Sequence, residues 1–373
     1  MSADYLIVGA GLFGSVMARC LAEGGKRVMV IDRRPHIGGN CYTELQDGVH
    51  VHRYGPHIFH TNNREVWDFV NRFATFNNYL HRALVRYGDR LFSFPFNLAT
   101  FHQVWGVMTP QEAKRKLDLV RHPSPRAGNL RDWALSQVGE EIYEIFIRGY
   151  TTKQWNRDPK DLPASILKRI PVRLNWDDRY FSDTFQGIPI GGYTQLFHNM
   201  LDAPGISVQT GVDFFDHRRE LSSRRLRVVY SGPIDRLFDY RFGELDYRSL
   251  RFEHERHQGD YQGAAVVNYT SADIPYTRII EHKHFDDTGS SQSIVTREYP
   301  QAYGAGREPY YPIRDARNEQ IYQRYRALAQ AEDLILGGRL GSYRYFDMHQ
   351  VVGQAMKTAR QQLEMRETAD VAA

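Results

Sequence analysis

The pattern of apolar and polar positions at the start of the chain predicts a strand, a tight turn, a helix and a second strand. The apolar run at 5–8 leads into Gly-Ala-Gly-Leu-Phe-Gly at 9–14. A stretch with helical spacing extends to Gly24, and a β-branched run at 27–31 ends in Asp32. This order of elements is typical of the first unit of a Rossmann-like domain.

The three glycines of the turn have separate physical tasks in this prediction. Gly9 and Gly11 let the backbone turn tightly and approach a pyrophosphate, while Gly14 lets the helix pack close to the strand. The helix N-terminus then faces the anion, and Asp32 would accept both hydroxyls of an adenosine ribose. A simple glycine-rich turn is the alternative, but the flanking strand, helix and acid favour a dinucleotide. An acid at this position disfavours NADP and leaves NAD or FAD.

The pattern changes several times along the rest of the chain. The spacing of apolar residues is helical over 97–150, and it alternates as in short strands between 230 and 299. Near the C-terminus an apolar run leads into Gly337-Gly338, and a helix follows from about 347. We therefore predict an α/β protein with a discontinuous Rossmann-like FAD-binding domain, an inserted helical domain and an antiparallel sheet domain. The predicted ranges are 1–80, 186–232 and 305–373 for the nucleotide domain, 97–150 for the helices, and 81–96, 151–185 and 233–304 for the sheet domain.

The stretch 160–185 is polar and rich in proline and arginine, and glycines follow it at 187, 191 and 192. It is either a solvated loop or a mobile lid that closes over a ligand.

Composition narrows the class of protein. The chain has 373 residues with 48 basic and 44 acidic side chains, a balance that does not indicate a nucleic-acid partner. Two cysteines form no disulfide framework, and no apolar run approaches the roughly 20 residues of a membrane span. We expect a cytoplasmic protein with no membrane partner and no metal.

Further motifs surround the predicted nucleotide site. The pair Gly38-Gly39 after Asp32 is similar to a loop found in many flavoproteins. His57 and His60 lack the neighbouring acids or cysteines that would help to bind a metal. They either lie against a flavin ring or lie in a buried turn with their ring nitrogens hydrogen-bonded. No catalytic carboxylate pair or nucleophile elbow stands out.

Arginines beside tyrosines are abundant near the glycine motifs, at Arg248, Arg278, Arg339, Arg344, Tyr310, Tyr343 and Tyr345. Guanidinium groups pair with phosphate oxygens and phenols add donors, so the set suits a second, diphosphate-bearing ligand.

Over its whole length the chain resembles the bacterial UDP-galactopyranose mutases. The resemblance is carried by the glycine motif at 9–14 and by six further runs of the sequence. These are Gly-Pro-His-Ile-Phe-His at 55–60, Thr-Lys-Gln-Trp at 152–155, Arg-Ile-Pro-Val-Arg at 169–173, Asp-Arg-Tyr-Phe-Ser-Asp-Thr at 178–184, Pro-Tyr-Tyr-Pro at 309–312 and Gly-Arg-Leu-Gly-Ser-Tyr-Arg-Tyr at 338–345.

The resemblance implies an isomerase of galactofuranose biosynthesis that interconverts UDP-galactopyranose and UDP-galactofuranose with reduced FAD and no net redox change. Flavin N5 would attack the anomeric carbon and displace UDP, and the sugar would open and reclose through an iminium. It also implies a homodimer that supplies cell-surface polysaccharide.

The resemblance carries roles over to individual residues. Catalytic residues would be Arg169, Arg278, Trp155 and His60. Arg169 would bind the diphosphate from the lid, Arg278 would be its partner, Tyr150 would stack on uracil and Trp155 would pack near the galactose. Substrate contacts would be Tyr150, Trp155, Arg169, Tyr180, Arg248, Asn268, Arg278, Tyr310 and Tyr345. Cofactor contacts would be Gly9, Gly11, Phe13, Gly14, Asp32, Arg33, Gly39, Asn40, His57, His60, Arg339, Tyr345, Asp347 and Met348.

Two other functions stay open from the sequence. An amine-oxidase-type flavin oxidoreductase would share the cofactor topology, and a nucleotide-sugar binding protein could retain FAD structurally. The arginine and tyrosine set favours the mutase, because an amine substrate does not need it.

Overall fold

A computed structural model describes residues 3–122, 128–168, 170–223 and 226–371. The strands in these residues are β1 (Tyr5–Val8), β2 (Val28–Asp32), β3 (Thr43–Gln46), β4 (Val49–His52), β5 (Phe59–Thr61), β6 (Ala83–Tyr87), β7 (Arg90–Phe94), β8 (Phe185–Gly187), β9 (Ile206–Thr210), β10 (Arg227–Tyr230), β11 (Tyr247–Gln258), β12 (Val266–Tyr269), β13 (Arg278–Glu281), β14 (Gln292–Ala302), β15 (Tyr311–Pro312) and β16 (Ile335–Leu336).

The α-helices are α1 (Leu12–Glu23), α2 (Arg64–Asn71), α3 (Leu98–Trp105), α4 (Pro110–Val120), α5 (Leu130–Ile142), α6 (Gly149–Trp155), α7 (Tyr193–Leu201), α8 (Arg218–Ser223), α9 (Ile234–Leu237), α10 (Ala316–Ala331), α11 (Gly338–Gly341) and α12 (Met348–Val371). A π-helical turn, Tyr143–Arg148, joins α5 to α6. Within the ranges given above, no helix is long and apolar enough to cross a membrane.

A five-stranded parallel sheet in the order β16-β10-β1-β2-β9 forms the nucleotide-binding part of the fold. Leu6 of β1 pairs with Val228 of β10 and Met29 of β2. The side chains of β1 are largely buried, because a parallel sheet is covered on both faces. The predicted strand, helix and strand over residues 5–32 are confirmed, and β10 and β16 join them from distant parts of the chain.

A second sheet in the order β15-β11-β14-β13-β12-β6-β7 lies apart from the first. Its pairs are antiparallel, except that β12 and β6 run parallel. The predicted fold class, a nucleotide-binding α/β unit with an antiparallel sheet unit, is confirmed. The strand Tyr311–Pro312 belongs to this second sheet, although the predicted range 305–373 places it with the nucleotide domain.

The inserted helices α3 to α6 pack around an apolar cluster of their own, which includes Phe101, Leu117, Leu130 and Phe146. α4 begins with Thr109 as N-cap, a proline at its first position and Glu112 closing a capping box. The last helix of this group extends to Trp155, five residues beyond the predicted end. This extension matters for function, because Tyr150 and Trp155 of α6 line a cavity.

Candidate active site

Two glycine loops meet at the ends of β1 and β2 and form one wall of a cleft. Gly9 has φ +108°, and a Cβ there would lie 2.2 Å from Ser231 Oγ. The backbone N–H of Gly38 donates to Ala10 O at 2.8 Å, and a Cβ on Gly39 would lie 3.0 Å from the Cα of Gly11. Both loops are therefore packed backbone against backbone, which leaves their amides close to whatever the cleft holds.

Helix α1 starts at the floor of this cleft with Gly11 as its N-cap. In the described part of the chain no side chain caps this helix start, and its first turn carries no acid. A Cβ on Gly14 would lie 1.9 Å from the carbonyl oxygen of Gly9, so only glycine permits the observed packing. A helix start of this kind suits a phosphate, because its uncapped N–H groups and the helix dipole attract an anion.

Asp32 lies at the end of β2 with its side chain largely buried. One carboxylate oxygen accepts from the backbone N–H of Ala10 at 2.8 Å and the other from that of Arg34 at 2.9 Å. Each oxygen retains a further lone pair for a ribose hydroxyl. Asp32 thus fixes the glycine loop and also lines the cleft.

Charged side chains cross the outer end of the cleft. Arg33 Nη2 lies 2.5 Å from Glu308 Oε2, and Arg34 Nη2 lies 3.2 Å from the same oxygen. Arg34 also donates to Asn40 Oδ1 at 3.0 Å. The predicted cofactor residue Arg33 therefore lines the cleft with its guanidinium already paired to a carboxylate.

A second cavity, of about 260 Å³, opens directly from the cleft. The two spaces share five lining residues, which are Asn40, His57, Tyr310, Arg339 and Met348. The cavity is lined by the second sheet, α6 and the loops around 54–58 and 345–348, and aromatic rings supply much of its wall. Ligands in the cleft and in the cavity would therefore touch at these shared residues.

Arg278 is the central cation of this cavity. Its Nε lies 3.0 Å from Oε1 of the buried Glu298, and its Nη2 donates to the Tyr150 hydroxyl at 3.1 Å. Burial acts to lower the pKa of Arg278, but Glu298 and the facing tyrosines outweigh it and hold that pKa above its usual value. The guanidinium is thus permanently charged and aimed into the cavity, where a phosphate would find a fixed partner.

Two cations tie helix α6 to the second sheet. Lys153 Nζ donates to the carbonyl oxygens of Tyr269, Ser271, Ile274 and Tyr276 at 2.8 to 3.0 Å. These four carbonyls belong to the last residue of β12 and to the turn that joins β12 to β13.

Arg248 supplies the other cation. Its Nε donates to Gln154 O at 2.9 Å. Tyr150 and Trp155 are thereby held at defined positions over the cavity.

Four histidines lie in this part of the fold: His57 lines both cleft and cavity, His81 lines the cavity, and His52 and His282 line neither. Burial, reinforced by Arg339, lowers the pKa of His57 to about 4. Burial with Arg278 nearby lowers the pKa of His81 to about 3, and burial beside His254 lowers that of His282 to about 3. The pKa of His52 is also well below its usual value because that ring is buried. These four rings are neutral at physiological pH.

The structure brings most of the predicted residues together. The cleft is lined by Gly9, Gly11, Phe13, Asp32, Arg33, Gly39, Asn40, His57, Arg339 and Met348. The cavity is lined by Tyr150, Trp155, Tyr180, Asn268, Arg278, Tyr310, Tyr345, His57, His60, Arg339, Asp347 and Met348. Gly14 lies behind the loop, and Arg248 contacts α6 instead of the cavity. Arg169 lies outside the described residues.

Several cavity residues were not predicted, among them Tyr311, Glu298, Gln154, Phe146 and Phe181. Glu298 gave no clear signal, because it follows Arg297 in a strand that mixes charged, polar and apolar residues. Tyr311 begins β15 directly after Tyr310, and only the fold shows that both side chains reach the cavity.

The arrangement fits a dinucleotide and a second anionic ligand side by side. The cleft offers glycine amides, a helix start and a ribose-binding acid, which FAD requires. The cavity offers a fixed arginine, phenols and flat aromatic rings, which suit a diphosphate and a planar base. The five shared residues would lie where the two ligands meet.

Comparison with known proteins supports this description. The family described as UDP-galactopyranose mutase matches residues 145–345, and the NAD(P)-binding Rossmann-like domain family matches residues 7–73. A Klebsiella pneumoniae protein named "Probable UDP-galactopyranose mutase" is 45% identical over 95% of this chain and 94% of its own. The Escherichia coli dTDP-fucopyranose mutase is 40% identical over 95% and 97%.

The solved structure of a reduced UDP-galactopyranose mutase has the same fold as this chain. It superposes with a TM-score of 0.76 at 16% identity and covers 98% of this chain and 94% of its own.

Proposed function

The chain belongs to the UDP-galactopyranose mutase family and its cofactor is FAD, and on that premise we propose that it interconverts UDP-galactopyranose and UDP-galactofuranose. The observation that carries this proposal is the continuity of the glycine-lined cleft with a cavity built around Arg278. A flavin extending from the cleft would reach the same junction as a sugar whose diphosphate is bound in the cavity.

When bound in reduced form, FAD would supply the nucleophile for the displacement of UDP, and the glycine loops, the start of α1 and Asp32 would hold it in the cleft. The protein contributes position and charge. Arg278 binds the diphosphate in the substrate and retains it after the glycosidic bond breaks, because its charge is fixed by Glu298. Tyr310 and Tyr180 add phenolic donors from the cavity wall.

The helix α6 side of the cavity holds the rest of the substrate. Tyr150 stacks on the base and at the same time accepts a hydrogen bond from Arg278, so base and phosphate recognition are linked. Trp155 packs against the sugar, and Asn268 lies nearby on β12 with its amide donating to Leu84 O at 3.2 Å. These walls exclude water from the reacting carbon.

Arg169 belongs to the lid in this proposal. On the family resemblance it binds the diphosphate when the stretch around 160–185 closes. Arg169→Ala is expected to abolish turnover and to leave FAD bound; full activity in that variant would remove Arg169 from the mechanism.

The decisive assay uses FAD-loaded protein reduced with dithionite, incubated with UDP-galactopyranose, with the UDP-sugars separated by chromatography. We expect conversion only with reduced protein. Arg278→Met should lower kcat/KM by at least about 30-fold, the equivalent of roughly 2 kcal/mol or more. Arg82→Ala, which removes an exposed arginine paired with Asp178, is the matched control and should retain activity.

A second substrate is favoured by one specific finding, the 40% identity to a dTDP-fucopyranose mutase. The same assay should therefore be run with dTDP-fucopyranose. If the protein prefers dTDP-fucopyranose, the proposed reaction type stays the same, but the substrate has a different nucleotide and a different sugar. An amine-oxidase activity is not favoured, because the chain matches the mutase family over most of its length.

We also propose, from the family resemblance, a cytoplasmic homodimer that supplies cell-surface polysaccharide.

A further inference from the structure

His60 is held by a carboxylate 123 residues further along the chain. Its Nδ1 lies 2.7 Å from Asp183 Oδ2. His60 is on β5, which pairs antiparallel with β8, and Asp183 lies just before β8. The pairing of these two strands brings Asp183 next to His60, and His60 lines the second cavity while Asp183 lies behind it.

The carboxylate of Asp183 has a fixed orientation, because both of its oxygens are used. Oδ1 accepts from Asn62 Nδ2 at 2.7 Å, which leaves Oδ2 for His60. Asn62 cannot rotate to offer its oxygen instead, since that oxygen accepts from the backbone N–H of Thr184 at 2.8 Å and from its hydroxyl at 3.1 Å. The network therefore assigns a donor and an acceptor to every contact.

The imidazole plane is fixed as well. The ring of Phe181 stacks on it with centroids 3.7 Å apart and an angle of 12°. An ionised carboxylate only accepts hydrogen bonds, so Nδ1 of His60 must donate. In the neutral ring Nε2 then carries the lone pair.

We propose that Asp183 is a positioning residue that keeps His60 in the Nδ1–H tautomer, so that Nε2 serves as a hydrogen-bond acceptor for bound ligands. The donor is an O–H of the sugar or an N–H of the reduced flavin, both of which belong in this cavity under the proposed function. This inference rests on that function. It assigns a role to a residue of the 178–184 run that neither composition nor motif had distinguished from its neighbours.

Asp183→Asn tests the proposal with almost no change of shape. Asn62 still has an N–H to donate, so the new amide must direct its oxygen to Asn62 and its NH₂ group to His60. Nδ1 of His60 then has to accept, and the ring proton moves to Nε2. The variant should convert the acceptor in the cavity into a donor. Asp178→Asn is the matched control. Asp178 lies on the same segment as Asp183, but its carboxylate pairs with the exposed Arg82.

The experiment compares wild-type protein, Asp183→Asn and Asp178→Asn, each loaded with FAD. The tautomer of His60 is read from ¹⁵N-histidine NMR, with the signal assigned by its loss in His60→Gln. Turnover of UDP-galactopyranose and the flavin reduction potential are measured on the same samples. We expect Nδ1–H in wild type and control, Nε2–H in Asp183→Asn, and a kcat at least about 100-fold lower in that variant alone.

The two donor sources give different results. A shift of the flavin potential in Asp183→Asn indicates that His60 faces the flavin N–H, while an unchanged potential with a lower kcat indicates a sugar hydroxyl. A wild-type His60 ring protonated at Nε2 overturns the proposal whatever the activity, and so does an Asp183→Asn protein whose His60 keeps the wild-type tautomer. If the variant fails to fold, the wild-type spectrum alone still tests the proposal. If the tautomers follow expectation but no protein converts the UDP-sugar, Asp183 retains its positioning role and the proposed function fails.

Discussion

Replacing Lys153 by methionine should loosen the part of the site that holds the nucleotide base. The ammonium group donates to four carbonyl oxygens between 2.8 and 3.0 Å away, although it has only three protons. These contacts join α6, which carries Tyr150 and Trp155, to the turn between β12 and β13. Asn268 lies on one of those strands and Arg278 on the other.

The magnitude follows from the number of bonds lost. Charge-assisted hydrogen bonds contribute about 1.5 to 3 kcal/mol each, and Lys153 is only half-buried, so the lower value applies. Three such bonds give about 4.5 kcal/mol, and water entering the exposed side would restore part of it. We expect Lys153→Met to lower the free energy of unfolding by about 3 kcal/mol. A shift of α6 by about 1 Å would also reduce turnover by up to roughly 100-fold.

The assay is urea unfolding of the FAD-loaded protein, followed by intrinsic fluorescence, together with kcat and KM for the UDP-sugar. Lys160→Met is the control, because Lys160 is exposed and has only a weak contact with Asp158 at 3.9 Å. Ammonium chloride should restore part of the activity of Lys153→Ala, since four convergent carbonyls form a cage for a small cation, and sodium chloride at equal ionic strength should restore less. Equal stability and equal KM in Lys153→Met and Lys160→Met would refute this reasoning.

Three further predictions concern charge and packing. Glu298→Gln leaves a buried arginine without its counter-charge and should cost about 3 to 5 kcal/mol in urea unfolding, whereas the exposed Glu253→Gln should leave the unfolding midpoint essentially unchanged. The buried histidines have folded-state pKa values below the unfolded value of 6.5, so their contribution to stability is complete above that pH and is lost as pH falls towards about 3. In His282→Asn, the slope of unfolding free energy with pH between about 4 and 6 should decrease by up to about 1.4 kcal/mol per pH unit, measured by urea titrations. Gly337→Ala places a Cβ 1.9 Å from the Phe13 ring in the cofactor cleft, so the purified variant should contain less flavin than wild type by its absorbance at visible wavelengths.

The nucleotide-binding unit could be predicted because its signals are local. Residues 5–32 contain the strand, the glycine turn, the helix and the acid in one continuous stretch, and each has a physical reason readable from residue type. The return of the chain at Gly337-Gly338 could also be predicted, because an apolar run followed by glycines repeats the same pattern.

The interior of the cavity could not be predicted in the same way, because it depends on which residues of distant elements face each other. Arg248 looked like a phosphate ligand by type, yet its guanidinium contacts the end of α6. Lys153 stands in a family motif, but only the fold shows its four carbonyl partners. The pair of His60 and Asp183 depends on the pairing of β5 with β8, two three-residue strands too short to be seen from alternation.

The central claim is that a flavin and a UDP-sugar meet at the junction of the two spaces and react without net electron transfer. The most direct test counts molecules of UDP-galactofuranose formed per reducing equivalent supplied to the FAD-loaded protein under anaerobic conditions. We expect many product molecules per equivalent, with the flavin still reduced at the end. One product or fewer per equivalent, or equal turnover by the oxidised protein, would contradict it.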